Sequence, residues 1–219
     1  MGGRIALLIA LTGVVLSGAE SGTVTLKAVP RAMHWTSAPV SFAAKGDDAM
    51  EIVAPPKTDW YVSPLDGETH SNAPWLLFDA DADFVLRAKV TVDYRTKWDA
   101  GALVAWIDNT HWVKFAFENA AWLKPTIVSV VTRGRSDDSN AYSVDGNVQY
   151  LEIAKLGEAM ILYASDDGRN WHMIRAFTLG QGKLQVGFSS QSPVGQGHRA
   201  VFSEIRYRAE AIKDIWKGE

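Results

Sequence analysis

The sequence contains no cysteine among its 219 residues. That absence excludes a disulfide framework, a thiolate zinc site and a cysteine nucleophile. Nor is there a basic block: 22 Lys and Arg stand against 25 Asp and Glu, for a formal net charge of −3. Phosphate binding needs a positive footprint, so nucleic acid is not an expected partner. The five histidines, at 34, 70, 111, 172 and 198, show no metal-ligand spacing, and no His-Glu-x-x-His occurs. No Gly-x-Ser-x-Gly elbow is present.

Long apolar runs are scarce as well. The one candidate, Ile5 to Leu16, has about a dozen residues, whereas a membrane span needs about 20. It follows the basic start Met1-Gly-Gly-Arg4 and precedes the small residues Ser17-Gly18-Ala19. This is the pattern of a cleaved export signal. Residues 1–19 are expected to be removed after Ala19, leaving a secreted or periplasmic protein with no membrane attachment. No cysteine follows to carry a lipid.

What the chain does have is tryptophan, nine of them, within a composition that is 47% hydrophobic and 21% charged. Its apolar residues fall in short or alternating runs separated by Gly, Asp, Asn and Pro. Strands are expected at Lys27–Pro30, Val40–Ala44, Glu51–Ala54, Trp75–Phe78, Asp83–Tyr94, Ala102–Ile107, Trp112–Glu118, Thr126–Arg133, Gln149–Lys155, Met160–Ser165, Trp171–Phe177, Leu184–Ser190 and Arg199–Arg208. Asp108-Asn109-Thr110, Asp145-Gly146-Asn147 and Asp166-Asp167-Gly168-Arg169-Asn170 supply turns. The expectation is all-β: one two-sheet antiparallel jelly-roll sandwich over residues 20–208. Only the tail, 209–219, has helical character, with Ala209, Ile212, Ile215 and Trp216 near one helical face.

The run from Trp112 to Glu118 alternates strictly. Trp112, Lys114, Ala116 and Glu118 share one side, and Val113, Phe115 and Phe117 the other. The second side is a core face. The first carries a cation and a carboxylate, which is more than a plain solvated surface needs.

Several segments together resemble one family. They are Thr58-Asp59-Trp60-Tyr61, Asn72-Ala73-Pro74, Gly101…Ile107-Asp108…Trp112-Val113-Lys114…Glu118, Ser129-Val130-Val131-Thr132, Tyr163…Asp167-Gly168…Trp171 and Gly187…Ser192-Pro193. In order and spacing they are similar to DUF1349, also called the regulation-of-enolase family, over roughly Trp35 to Arg206. The resemblance implies a concanavalin A-like lectin/glucanase sandwich and a sugar-related role, without an established reaction. The chain departs from the family pattern twice. Ser136-Asp137-Asp138-Ser139 lacks the usual aromatic, and Trp60-Tyr61 stands where Phe-Trp is common.

On that basis the expected ligand is an oligo- or polysaccharide, held on the concave sheet. Trp106 and Trp112 would be apolar platforms, and Lys114, Glu118 and Arg133 hydrogen-bonding groups. Asp59 and Tyr61 would contact the ligand from a neighbouring loop. Trp60, His70, Trp75 and Trp122 are either further contacts or plugs over the ends of the sandwich. The opposing reading of the sheet face is a solvated surface with a weak cross-strand ion pair. Lys114 and Glu118 lie about 13 Å apart along the strand, so each must be met by neighbouring strands.

A glycoside hydrolase or polysaccharide lyase would use Glu118 with a second carboxylate from another strand, Glu152 being the candidate, or with Lys114. Neither Glu-x-Asp-x-Glu nor Glu-x-Asp-x-x-Glu is present to supply the pair on one strand. The leading expectation is therefore a non-catalytic lectin-like module. An envelope protein-interaction domain is a third possibility. No cofactor is required, although Asp79, Asp81, Asp83 and the Asp137-Asp138 pair raise the option of Ca2+. The Ser165-to-Trp171 segment reads as a structural Asp-Gly turn closed by its tryptophan.

Overall fold

The computed structural model describes residues 22–219, together with the pairing of a two-residue strand, β1 (Val15–Leu16). The expected export signal otherwise lies outside the described residues. Among those residues no helix forms.

Alternation with period two builds two large antiparallel sheets. The first has eight strands in the order β1, β3 (Ser41–Ala44), β4 (Met50–Ala54), β17 (His198–Arg208), β8 (Phe84–Val92), β13 (Val148–Leu156), β14 (Ala159–Ser165) and β15 (His172–Thr178). The second has seven, in the order β12 (Arg135–Ser143), β11 (Pro125–Arg133), β10 (His111–Asn119), β9 (Ala100–Asp108), β16 (Gln185–Gln191), β7 (Trp75–Asp79) and β2 (His34–Trp35). A hairpin of β5 (Trp60–Val62) and β6 (Thr69–Ser71) stands apart from both.

The two sheets pack face to face over one core. Leu103, Val113, Phe115, Phe117, Val131 and Phe188 come from the seven-stranded sheet, and Leu86, Val90, Leu151, Ile153, Leu162 and Phe202 from the eight-stranded one. Each of these strands turns one apolar face to this core, which is what a two-layer sandwich requires.

Three sequence expectations are corrected. Lys27–Pro30 is a turn, closed by the Val29 amide on the Leu26 carbonyl, and Pro30 has no amide to give a ladder. Ser136–Ser139, which lies outside every expected strand, is part of the edge strand β12 and pairs along β11 from Thr132 to Ser129. The C-terminal helix is absent. Residues 215–218 form a turn, Gly218 adopts φ +67°, and the Asp214 side chain accepts the Trp216 amide. A segment of this length makes a marginal helix, and docking on the sheet wins over local propensity. Ile212 is buried beside Val85, Ala154, Ile161 and Tyr163, and the Tyr163 hydroxyl donates to the Ile215 carbonyl at 2.6 Å.

Candidate functional site: the outward face of the seven-stranded sheet

The residues that alternate with the core on β9, β10 and β11 form a second, smaller apolar layer: Ala100, Ala102, Val104, Trp112, Ala116, Val128 and Val130. Many of these side chains are small, so a covering layer can lie close to the sheet. The β5–β6 hairpin supplies that cover. Trp60 stacks on Trp75 with centroids 4.4 Å apart, and both meet Trp112 edge-on at 5.8 and 5.7 Å. Such aromatic contacts add to the area that the rings bury. The hairpin is also pinned by polar bonds. The Val62 amide donates to Ser136 Oγ at 2.9 Å, and Trp60 Nε1 donates to the Ala73 carbonyl at 2.9 Å.

Lys114 is central to this layer. It is buried, and its ammonium donates to Asp59 Oδ1 at 2.7 Å, to Gln191 Oε1 at 2.8 Å and to the Trp60 carbonyl at 3.0 Å. An ammonium has three donors, so Lys114 is satisfied without a ligand. Asp59 is itself held in place: its amide donates to Asn72 Oδ1 at 2.9 Å, and its carbonyl accepts the Asn72 amide at 3.0 Å. Thr58 and Ser192 bond reciprocally across an isolated bridge. The Asp59, Asn72, Lys114 and Ser192 segments, scattered in sequence, therefore meet in one corner.

Glu118 lies on the same face and is only 8% exposed. No described residue hydrogen-bonds its carboxyl group. Burial pushes its pKa up to about 8; the Lys114 charge opposes that rise, and Asp59 and Asp138 add to it. Asp138, on the exposed edge strand, lies opposite Val130, which in turn lies opposite Lys114. Its pKa is also raised, chiefly by desolvation. The Tyr61 phenol is half-buried, with its pKa pushed up first by burial and then by Asp138 and Asp59. The same face holds four buried donors without a partner: Trp75, Trp106 and Trp112 Nε1 and Ser189 Oγ. Buried donors left unpaired in a native fold call for a partner such as water or a ligand.

The sequence-predicted residues thus divide. Asp59, Tyr61, Lys114 and Glu118 share one site with Asp138 and Gln191. Trp106 is half-buried on the same face, opposite Trp112 in the ladder. Trp112 is fully buried under Trp60, so it offers no open platform. Arg133 does not join them: it shares the parity of Val131, is exposed, and reaches the Thr178 carbonyl at 3.4 Å. Glu152 cannot be a second carboxylate for Glu118. It projects from the outward face of the other sheet, where it pairs with Arg87. That pocket lies under the C-terminal tail, and burial raises the Glu152 pKa to about 7.

Sequence reasoning missed Gln191 and raised Asp138 only as a calcium carboxylate. Gln191 follows the last strand residue it recognised on β16. The place of Asp138 on this face was hidden because β12 has no apolar alternation.

Four of the five candidate calcium carboxylates are engaged elsewhere. Asp79 binds Lys183 and Gln185, Asp81 binds Arg31 and Tyr207, Asp83 accepts the Gly157 amide, and Asp137 pairs with Arg175. Among the described residues no three His, Asp or Glu side chains converge as a metal-ligand set.

A family model described as a protein of unknown function, DUF1349, matches residues 35–210. Regulation of enolase protein 1 of Saccharomyces cerevisiae is 26% identical over 165 residues, spanning 73% of this chain and 82% of the yeast protein. The crystal structure of a functionally unknown protein from Saccharomyces cerevisiae superposes with a TM-score of 0.76 at 22% identity, covering 82% of this chain and 97% of the other. Xylan beta-1,4-xylosidase from Bacillus halodurans shares the sandwich with a TM-score of 0.60 at 15% identity. That match covers 75% of this chain and 33% of the enzyme.

Proposed function

The chain belongs to the DUF1349 family, and from that premise we propose that it is a lectin-like carbohydrate-binding module that takes an oligo- or polysaccharide on the outward face of its seven-stranded sheet. One observation carries the reading: polar groups on that face lack partners. Those nearest the surface are the Glu118 carboxyl, 8% exposed, and Nε1 of the half-buried Trp106. A sugar offers hydroxyl groups that both donate and accept, plus C–H faces for an aromatic ring. Trp106 and Tyr61, both half-buried, are the contacts nearest solvent. Asp59 and Lys114 hold the corner rigid. The fold match to a xylosidase supports the ligand class, although only a third of that enzyme is matched. In this reading residues 1–19 direct export, and the module acts outside the cytoplasm without a resident metal.

The test is intrinsic fluorescence of the purified protein titrated with plant and bacterial glycans, with and without calcium, repeated on Trp106→Ala. A saturable change that is weakened at least tenfold in the variant supports the reading. Silence towards every glycan overturns it and leaves a protein-interaction domain.

A second reading has one observation in its favour. Glu118 holds its proton up to a pKa of about 8, as a general acid must near neutral pH. Release of reducing ends from a bound glycan, abolished in Glu118→Gln with binding retained, would establish a hydrolase in place of a lectin.

A further inference from the structure

The ladder between β11 and the edge strand β12 is interrupted once. Ile127 lies opposite Tyr142 and Val128 opposite Asn140, so Ala141 is an extra residue without a partner. Such a bulge resets the alternation of side chains. Before it, Asp138 and Asn140 lie opposite Val130 and Val128, which belong to the outward apolar layer. After it, Tyr142 packs on the main core, and Ser143 lies opposite Thr126, itself opposite Glu118 on the outward face. Without the bulge that outward position would fall to Tyr142. The side chains of Asp138, Asn140 and Ser143 are exposed. They make one polar strip along the rim of the site, about 15 Å long at the usual rise of a strand.

An aromatic ring stands at each end of the strip. Trp122 is 53% exposed, and its Nε1 donates to Ser143 Oγ at 3.2 Å. A closed turn holds it there: the Leu123 amide donates to the Ala120 carbonyl at 2.8 Å, and the Ala120 amide to the Lys124 carbonyl at 3.0 Å. Leu123 takes φ +60°, a left-handed conformation that strains a leucine. Strain of this kind is concentrated at functional sites. At the other end, the bond from the Val62 amide to Ser136 Oγ anchors the hairpin two residues before Asp138. Tyr61, next to Val62, is half-buried, and its phenol feels the Asp138 charge.

Building on the carbohydrate reading, we infer that the ligand is an extended oligosaccharide lying along β12, with Trp122 and Tyr61 as platforms at its two ends and Asp138, Asn140 and Ser143 as hydrogen-bonding groups between them. A sugar ring sets its C–H face on an aromatic ring and its hydroxyl groups against polar side chains. The strip alternates these partners as a glycan chain needs them. A single sugar reaches only one of the two rings, so affinity grows with chain length.

Calorimetric titration of the purified protein with dimers and hexamers of β-1,4-linked xylose, glucose and glucosamine tests this path. The hexamer of the preferred sugar should bind about tenfold more tightly than its dimer, and Trp122→Ala should remove about that factor from hexamer binding. Trp122→Phe keeps a ring and should retain most of the affinity. Trp216→Ala removes a side chain 75% exposed on the tail, against the other sheet, and should change nothing. Unaltered hexamer binding in Trp122→Ala, or an equal loss in Trp216→Ala, overturns the path along β12 while leaving the carbohydrate reading intact. Equal affinity for dimer and hexamer overturns it too. Binding of no oligomer overturns the carbohydrate reading, and this inference with it.

Discussion

Lys114 and Glu118 stand four residues apart on one face of β10, and their surroundings treat them differently. Lys114 finds three acceptors, and among the described residues Glu118 finds no hydrogen-bond partner. Lys114→Met keeps most of the stem volume but strands Asp59 and Gln191. Removing one side of a buried pair costs a few kcal/mol, so we expect a loss of about 3 kcal/mol in urea unfolding.

Glu118 predicts a pH dependence. Its ordinary pKa is 4.5, and in the folded protein it is about 8. Between those values the unfolded chain gives up the proton and the folded chain keeps it. The stability present below pH 4.5 is therefore lost progressively as pH rises through about 8. Glu152, raised to about 7, acts in the same direction. Urea midpoints should fall between pH 5 and pH 9, with a slope of up to roughly 1 kcal/mol per pH unit from each group. Glu118→Gln should flatten the fall without abolishing it. An equal fall in the variant would show that Glu118 titrates normally.

At the scale of elements, β10 was legible because its apolar residues alternate, and β12 was not because only one of its residues, Ser136, is buried. Charged edge strands resist pairing with other chains, and Asp137-Asp138 fits that role. The β5–β6 hairpin was invisible for a different reason: Tyr61 lies opposite His70 across a loop, with no run long enough to signal a strand. Ser136→Ala removes the acceptor of the Val62 amide and a partner of Thr132, and should cost about 1–2 kcal/mol.

Gly187, in the centre of β16, is a sharper case. A Cβ there would stand 1.8 Å from the Leu76 carbonyl oxygen, inside the β16–β7 ladder. Gly187→Ala should lower Tm by more than 10 °C or prevent folding, read by thermal denaturation.

For the whole molecule, one core draws on both large sheets, so unfolding should be a single transition with calorimetric and van't Hoff enthalpies equal. The tail belongs to that unit. Ile212 packs on the eight-stranded sheet, and the Gly218 carbonyl accepts from Arg87 above the buried Glu152. Deleting residues 209–219 uncovers this layer and should cost about 3 kcal/mol, seen as a lower denaturant midpoint.

The long alternating strands, the turns between them and the sandwich class were determined by the sequence alone, because a two-residue period and Asp-Gly or Asn-rich turns are local properties. So was the identity of Asp59, Tyr61, Lys114 and Glu118 as residues of interest. Only the tertiary structure decided that a hairpin covers Trp112, that Arg133 turns away, and that Glu152 belongs to the opposite sheet. The bonds that built the site join Lys114 to partners 55 and 77 residues away. Contacts at that separation are set by the order in which strands enter the two sheets, and no local pattern encodes that order.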